Sequence, residues 1–359
     1  MTHEELQSCT ISYLRFPLTL GIIFIHFDLI EHIFTYHGVQ YGLNPPSWFT
    51  FFVNFFSEVL PQIGVPLFFI ISGYLFFHKD QFDCHVYKQK LLKRARTLLV
   101  PYLLWNLVAA LIHDSYLLFS GVGQEFFLTS PIRLFHDTND VGFPYPINLP
   151  MWYVRDLMVM IVFSPVIFWL VNRLGHWVVI LLGGLYFVYQ PLFVPEGSWG
   201  VLLSQAAFFF TWGAYYAIRG DIFVVRFAHY TYMPVVYLPI AIVDALTRGE
   251  PLNLYIHQTG VLLGVVAAVV VVVYLLEQGR VRVSQTLAGS SFFLYALHTC
   301  VLFEVSKIVF IVFRLGDNVW SMLILYVATP LFTAALCVAL YLLLKRFVPS
   351  LCNLLTGGR

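Results

Sequence analysis

Apolar residues in this chain come in long unbroken runs. They do not form the one-sided stripe of a water-facing helix or the alternation of a half-buried strand. Ten runs reach the roughly 20 residues that a helix needs to cross a bilayer's hydrocarbon. They cover 13–36, 50–77, 97–119, 150–171, 174–195, 199–218, 226–247, 254–276, 288–313 and 319–345. The pattern predicts an all-α polytopic membrane protein, a bundle of about ten transmembrane helices. One domain, 1–359, would hold them all, with no separate soluble domain. Only "NRLGH" parts the fourth run from the fifth, and no internal repeat is visible.

Composition agrees with the pattern. The chain is 59% hydrophobic and 11% charged, against about 25% charged in soluble domains, and its mean hydropathy is +0.79. A net charge of +1 with no basic arm gives no reason to expect a nucleic-acid partner. The partners expected on these grounds are membrane lipids. Five cysteines stand apart with no CxxC pair and read as small reduced hydrophobes, so neither a disulfide nor a metal site is expected. "MTHEELQSCT" lacks the basic start of a signal peptide, so the first helix is expected to be retained.

Lysine and arginine set the orientation. With the N-terminus inside, fifteen of the 20 Lys and Arg residues lie on the inner side and four on the outer, with Lys307 inside the ninth segment. Ten crossings then return the C-terminus to the cytoplasm. The long segment about 120–149 faces outward, either as a plain connector or as cover for a site.

Ionisable groups inside apolar helices are functional hypotheses by default. Arg15 and His26 are eleven residues apart, which puts them on one helix face about 16 Å apart along the axis. That places a guanidinium near the inner headgroups and an imidazole near the membrane middle. Two readings stand. Arg15 anchors the inner rim while His26 is a core histidine, or both line one solvent-accessible tunnel holding the two ends of an extended thioester carrier. Glu58 lies near the outer end of the second segment, in which Pro61 and Pro66 predict kinks. Ser72 and Gly73 there fit close helix packing. Lys93, Arg94 and Arg96 belong to the densest basic run, suited to anionic lipid or to a phosphorylated ligand. Trp152, Arg155 and Asp156 open the fourth segment, where the charges either neutralise each other or orient an acceptor hydroxyl. His298 lies about 15 Å into the ninth segment, near the depth of His26. The two histidines read as a base with its orienter or as independent polar staples. Glu304 and Lys307 have pairing spacing. Asp28 faces away from His26 by about 200°, so no dyad is built from them. No Walker loop, GxGxxG, HExxH or GxSxG is present.

Several stretches together resemble acyltransferase family 3, the integral-membrane acyltransferases of bacterial envelope glycans. They are Arg15 and His26 in R-x10-H spacing, "VPLFFIISGYLFF", "RTLLVPYLLW" after a basic run, "WYVRDL" and "FFLYALHT". The resemblance extends over about residues 10–345. It implies a bundle of ten or eleven helices and acetyl-CoA, or another acyl-CoA, as donor. The implied acceptor is a sugar hydroxyl of a cell-surface or lipid-linked polysaccharide, the implied group acetyl or succinyl, and the location the bacterial inner membrane. His26 becomes the implied catalytic base and Arg15 the matching arginine, with Glu58 as the candidate orienter. Arg15, Lys93, Arg94, Arg96 and Ser72 would serve the donor. Trp152, Arg155, Asp156 and His298 would serve the acceptor. The family's R-x-x-R pair is here Lys93-x-x-Arg96. The competing class is a transporter or flippase of a glycan or lipid-linked intermediate, since buried charges and broken helices occur there too.

Overall fold

The computed structural model describes the chain except residues 28–34, 37–38, 41–45, 80–81, 121–144, 194–198, 314–318 and 359. Apart from turns and short connectors, the described chain is helical, with one two-residue antiparallel pairing of Thr35–Tyr36 with Val39–Gln40. Fifteen α-helices follow in order: α1 His3–Ile25, α2 Ser47–Val53, α3 Gly64–Phe77, α4 Cys84–Arg94, α5 Val100–Ser120, α6 Trp152–Val162, α7 Ser164–Leu174, α8 Trp177–Phe193, α9 Trp199–Ile218, α10 Phe223–Ala228, α11 Met233–Leu246, α12 Asn253–Glu277, α13 Gln285–Phe313, α14 Val319–Phe347 and α15 Pro349–Thr356.

Among the described residues, five helical stretches are long and apolar enough to cross a membrane: His3–Ile25, Ser47–Phe77, Cys84–Ile112, Asn253–Glu277 and Val319–Phe347. A sixth arises if α6 and α7, bent by 63°, form one span. The bend falls at Ser164–Pro165, where the proline starts the second helix. The run expected to be one helix over 150–171 is therefore broken. The 226–247 run is likewise two helices, α10 and α11.

The first helix also differs from its expected 13–36. It starts at His3, because the Thr2 hydroxyl accepts from the Glu5 amide while the Glu5 carboxylate accepts from the Thr2 amide. This capping box carries the helix through the polar stretch "HEELQS". It ends at Ile25 with His26 as its cap residue. Arg15 thus lies mid-helix and His26 at the helix end, not within it. Asp28, Glu31 and His32 lie outside the described residues.

Prolines reshape two other stretches. Proline lacks an N–H and crowds the carbonyl four residues back. Around Pro61, residues Asn54–Val59 take a wide π turn and Leu60–Ile63, which include the proline, a tight 3-10 turn. Before Pro101, Ala95–Leu99 form a second π turn. The basic run is helical from Cys84 onward, continuous through that turn into α5.

The chain divides into two compact units, Met1–Val65 with Val224–Leu342, and Pro66–Phe223 with Leu343–Arg359. In the first, α1 packs on α12, α13 and the Asn54–Ile63 turns, and α11 packs along α12. Its core includes Ile23, Phe27, Phe49, Leu294, Tyr326 and Cys337. In the second, α9 is packed by α6, α7 and α8. There Gly73 on α3 and Gly213 on α9 bring two backbones together. A Cβ on Gly73 would collide with the Phe210 carbonyl, and one on Gly213 with the Ile70 carbonyl. Small residues permit this approach, as "SG" predicts.

Candidate functional site

The first unit brings His26 and His298 together. They are 272 positions apart in the chain, yet their rings lie 5.2 Å apart between centroids, tilted by 37°. His298 is fully buried on α13. Its Nδ1 is 2.7 Å from the Tyr295 carbonyl. A carbonyl only accepts, so Nδ1 carries the proton, and in the neutral ring Nε2 keeps a lone pair. That Nε2 is buried with no hydrogen-bond partner among the described residues. A buried acceptor left open costs about 1–3 kcal/mol, which is unusual unless a ligand or water completes it. His26 is half-buried.

The surroundings of His26 follow from the end of α1. The last carbonyls of a helix have no partner within it. Ser57, in the first π turn, donates to the Phe24 carbonyl at 2.7 Å. Its oxygen also lies 2.7 Å from the Tyr326 hydroxyl. Since the serine proton is spent on the carbonyl, Tyr326 is the donor in that second bond. Tyr326 is fully buried, with Phe24, Phe27 and Phe52 around its ring. Arg15 is half-buried on the same helix, and the Thr19 hydroxyl donates to its carbonyl at 2.8 Å.

Glu58, next to Ser57, has its carboxylate 3.2 Å from the Arg248 guanidinium. Arg248 in turn is 3.8 Å from Asp244. Asp244 holds His257 Nδ1 at 2.8 Å and accepts from Asn253 at 2.9 Å. Sequence reasoning missed Asp244, Asn253 and His257. The signal existed: Asp244 interrupts the apolar run "PIAIVDAL", and a charge there is a hypothesis by the same rule that flagged His26.

In the second unit, Ser72 lies 3.0 Å from the Tyr153 hydroxyl, which donates to the Phe68 carbonyl at 3.3 Å. The Arg94 guanidinium acts electrostatically on the same Tyr153, so Ser72 and Arg94 share a neighbourhood. No carboxylate pairs with Arg94 among the described residues. Lys93 and Arg96 are exposed. Arg155 and Asp156 pair at 2.9 Å, both buried, and Tyr102 and Tyr145 lie within their field. Asn106 accepts from the Asn148 amide at 3.0 Å and donates to the Tyr102 carbonyl at 2.8 Å. This fixes the chain just before α6, whose first residue is the half-buried Trp152. Of the long outward segment, 121–144 lies outside the described residues, as do the side chains of Glu304 and Lys307. Among the described residues no three of His, Cys, Asp or Glu cluster as a metal site requires.

Long apolar helices with a buried imidazole beside a half-buried one, an intrahelical arginine and a separate basic turn define a helical membrane protein with enzyme-like polar centres. The family model for an acyltransferase domain, Acyl_transf_3, matches residues 10–342, and the chain belongs to that family: it is an acyltransferase. It is 29% identical over 371 aligned residues to the succinoglycan biosynthesis protein ExoH of Rhizobium meliloti (strain 1021). That alignment covers 98% of this chain and 92% of the relative. No solved structure matches. Family membership decides between the enzyme and transporter readings in favour of the enzyme.

Proposed function

We propose that the chain moves an acetyl or succinyl group from acyl-CoA to a sugar hydroxyl of a cell-surface or lipid-linked polysaccharide. The likeness to a succinoglycan biosynthesis protein supports a glycan acceptor. The observation that carries the reading is the His26–His298 pair at 5.2 Å. A sugar hydroxyl is a poor nucleophile until a base takes its proton. His26 is assigned as that base, with His298 beside it and Glu58 as supporting carboxylate. The hydroxyl oxygen attacks the thioester carbonyl as the imidazole takes its proton. The tetrahedral intermediate then loses CoA thiolate, which takes the proton back. No net proton is consumed.

Arg15, Lys93, Arg94, Arg96 and Ser72 are assigned to the donor. Guanidinium groups match phosphate geometry, and Arg94 is half-buried with no carboxylate paired to it among the described residues. Trp152, Arg155, Asp156 and His298 are assigned to the acceptor. The protein is assigned to the inner membrane, as one acyltransferase domain of ten crossings with both termini cytoplasmic.

The test uses membranes supplied with labelled acetyl-CoA or succinyl-CoA. Wild type transfers label to a glycan fraction, and His26→Ala loses about 100-fold or more, the usual scale for a general base. Equal transfer by the two proteins would remove His26 from the chemistry. No transfer by wild type from either donor would sink the reading.

A further inference from the structure

The turn that carries His26 is gripped by two side chains to which the proposed chemistry gives no part. His26 is the third residue of the turn Phe24–Phe27, which the Phe27 amide closes by donating to the Phe24 carbonyl at 3.2 Å. The same carbonyl accepts from the Ser57 hydroxyl at 2.7 Å. Ser57 Oγ in turn accepts from the Tyr326 hydroxyl at 2.7 Å. The Tyr326 ring, on α14, also meets both ends of the turn. The Phe24 ring packs edge-on against it at 5.6 Å, and the Phe27 ring stacks on it at 6.5 Å. One tyrosine therefore holds the His26 turn by its backbone, through Ser57, and by the two aromatic rings at its ends.

Packing alone calls for neither hydroxyl. Ser57 and Tyr326 are each 0% exposed, and Tyr326 sits in a core of Ile23, Phe27, Phe49 and Leu325. Alanine and phenylalanine have the same frame without the cost of burying a hydroxyl. The Phe24 carbonyl does not depend on Ser57 for a partner either, because the Phe27 amide already donates to it. Interhelical hydrogen bonds are common glue between membrane helices. What singles out this one is its end point, the carbonyl that closes the turn around His26. Ser57 reaches it from the π turn Asn54–Val59, a type of turn that concentrates at functional sites.

We propose that Tyr326 and Ser57 are positioning residues that set the direction of the His26 imidazole. Tyr326 fixes Ser57, Ser57 fixes the Phe24 carbonyl, and the carbonyl fixes the end of α1 from which His26 projects toward His298. The last turn of a helix is otherwise weakly held, and a reacting group displaced by about 1 Å costs about 100-fold in rate. The inference rests on His26 as the base proposed above.

The test measures kcat per folded protein and both KM values on the full chain in detergent. Labelled acyl-CoA is the donor, and the acceptor is the oligosaccharide released from the envelope polysaccharide of the producing cells and freed of its esters. Tyr326→Phe keeps the ring and removes only the hydroxyl. It is expected to lower kcat about 10- to 100-fold, with donor and acceptor KM within about twofold of wild type. Ser57→Ala should do the same, and the double variant should be no slower than the worse single one, because the two act as one unit. In a His26→Ala background, Tyr326→Phe should lower the residual transfer no further. A merely structural bond would instead lower the melting temperature and leave kcat per folded protein unchanged, or slow transfer equally in both backgrounds. Either result overturns the proposal. A loss of kcat in His26→Ala without one in Tyr326→Phe or Ser57→Ala overturns the positioning role alone. Full transfer by His26→Ala removes the base, and the positioning role falls with it.

Discussion

At the scale of single residues, the account turns on imidazoles whose surroundings are set by backbone. His298 has one nitrogen fixed by the Tyr295 carbonyl and the other buried and, among the described residues, without a hydrogen-bond partner. His298→Ala is expected to lower label transfer about 10- to 100-fold, below the full loss of a general base, and leave the donor KM unchanged. A matching fall in donor affinity would assign His298 to the donor. Arg94→Ala should raise the donor KM about tenfold, since the guanidinium pairs with no carboxylate among the described residues. Kinetics with varied acyl-CoA check it. Much of this was legible in the sequence, because a charge in an apolar run stands out. Arg15, His26 and His298 were visible in that way. Asp244 obeyed the same rule but sits near a run's end, where it reads as loop edge. His257 gains meaning only from pairing thirteen residues back across a hairpin, which no local pattern states.

At the scale of elements, prolines and glycines do the positioning. Pro61 and Pro101 each follow a π turn, and these turns carry Ser57 and Glu58 in one case and Arg96 and Thr97 in the other. Such turns concentrate at functional sites. Pro101→Ala permits ordinary α-helical bonding and swings the preceding basic residues by about 100° relative to α5. The donor KM should rise severalfold while the melting temperature holds or increases. Gly73→Val and Gly213→Val should each destabilise the second unit by about 1–3 kcal/mol, because added volume meets backbone that no rotamer change relieves. Thermal melting in detergent measures it. The sequence pattern located these helices, yet it misjudged their ends. Apolar length marks what is buried in lipid, whereas capping decides where a helix starts. The Thr2–Glu5 box therefore extended α1 beyond its apolar run, and Pro165 divided what hydropathy read as one segment.

At the scale of the whole molecule, the proposed topology of ten crossings with cytoplasmic termini predicts a definite pattern of sidedness. Reporters joined at Gly249 or within 121–144 should report the extracytoplasmic side, and reporters joined at Gly220, Gly279 or the C-terminus the cytoplasm. A reversed or mixed pattern would reject that topology. The family assignment came from motifs dispersed over nearly the entire chain, so it was readable before any fold. The pairing of His26 with His298 was not, because helix packing at a separation of 272 residues leaves no periodic trace. The most direct measurement of the central claim is mass spectrometry of the envelope polysaccharide from cells producing wild type or His26→Ala. Acetyl or succinyl esters present with wild type and absent with His26→Ala, at equal protein levels, are the predicted result. Identical ester content in the two would contradict it.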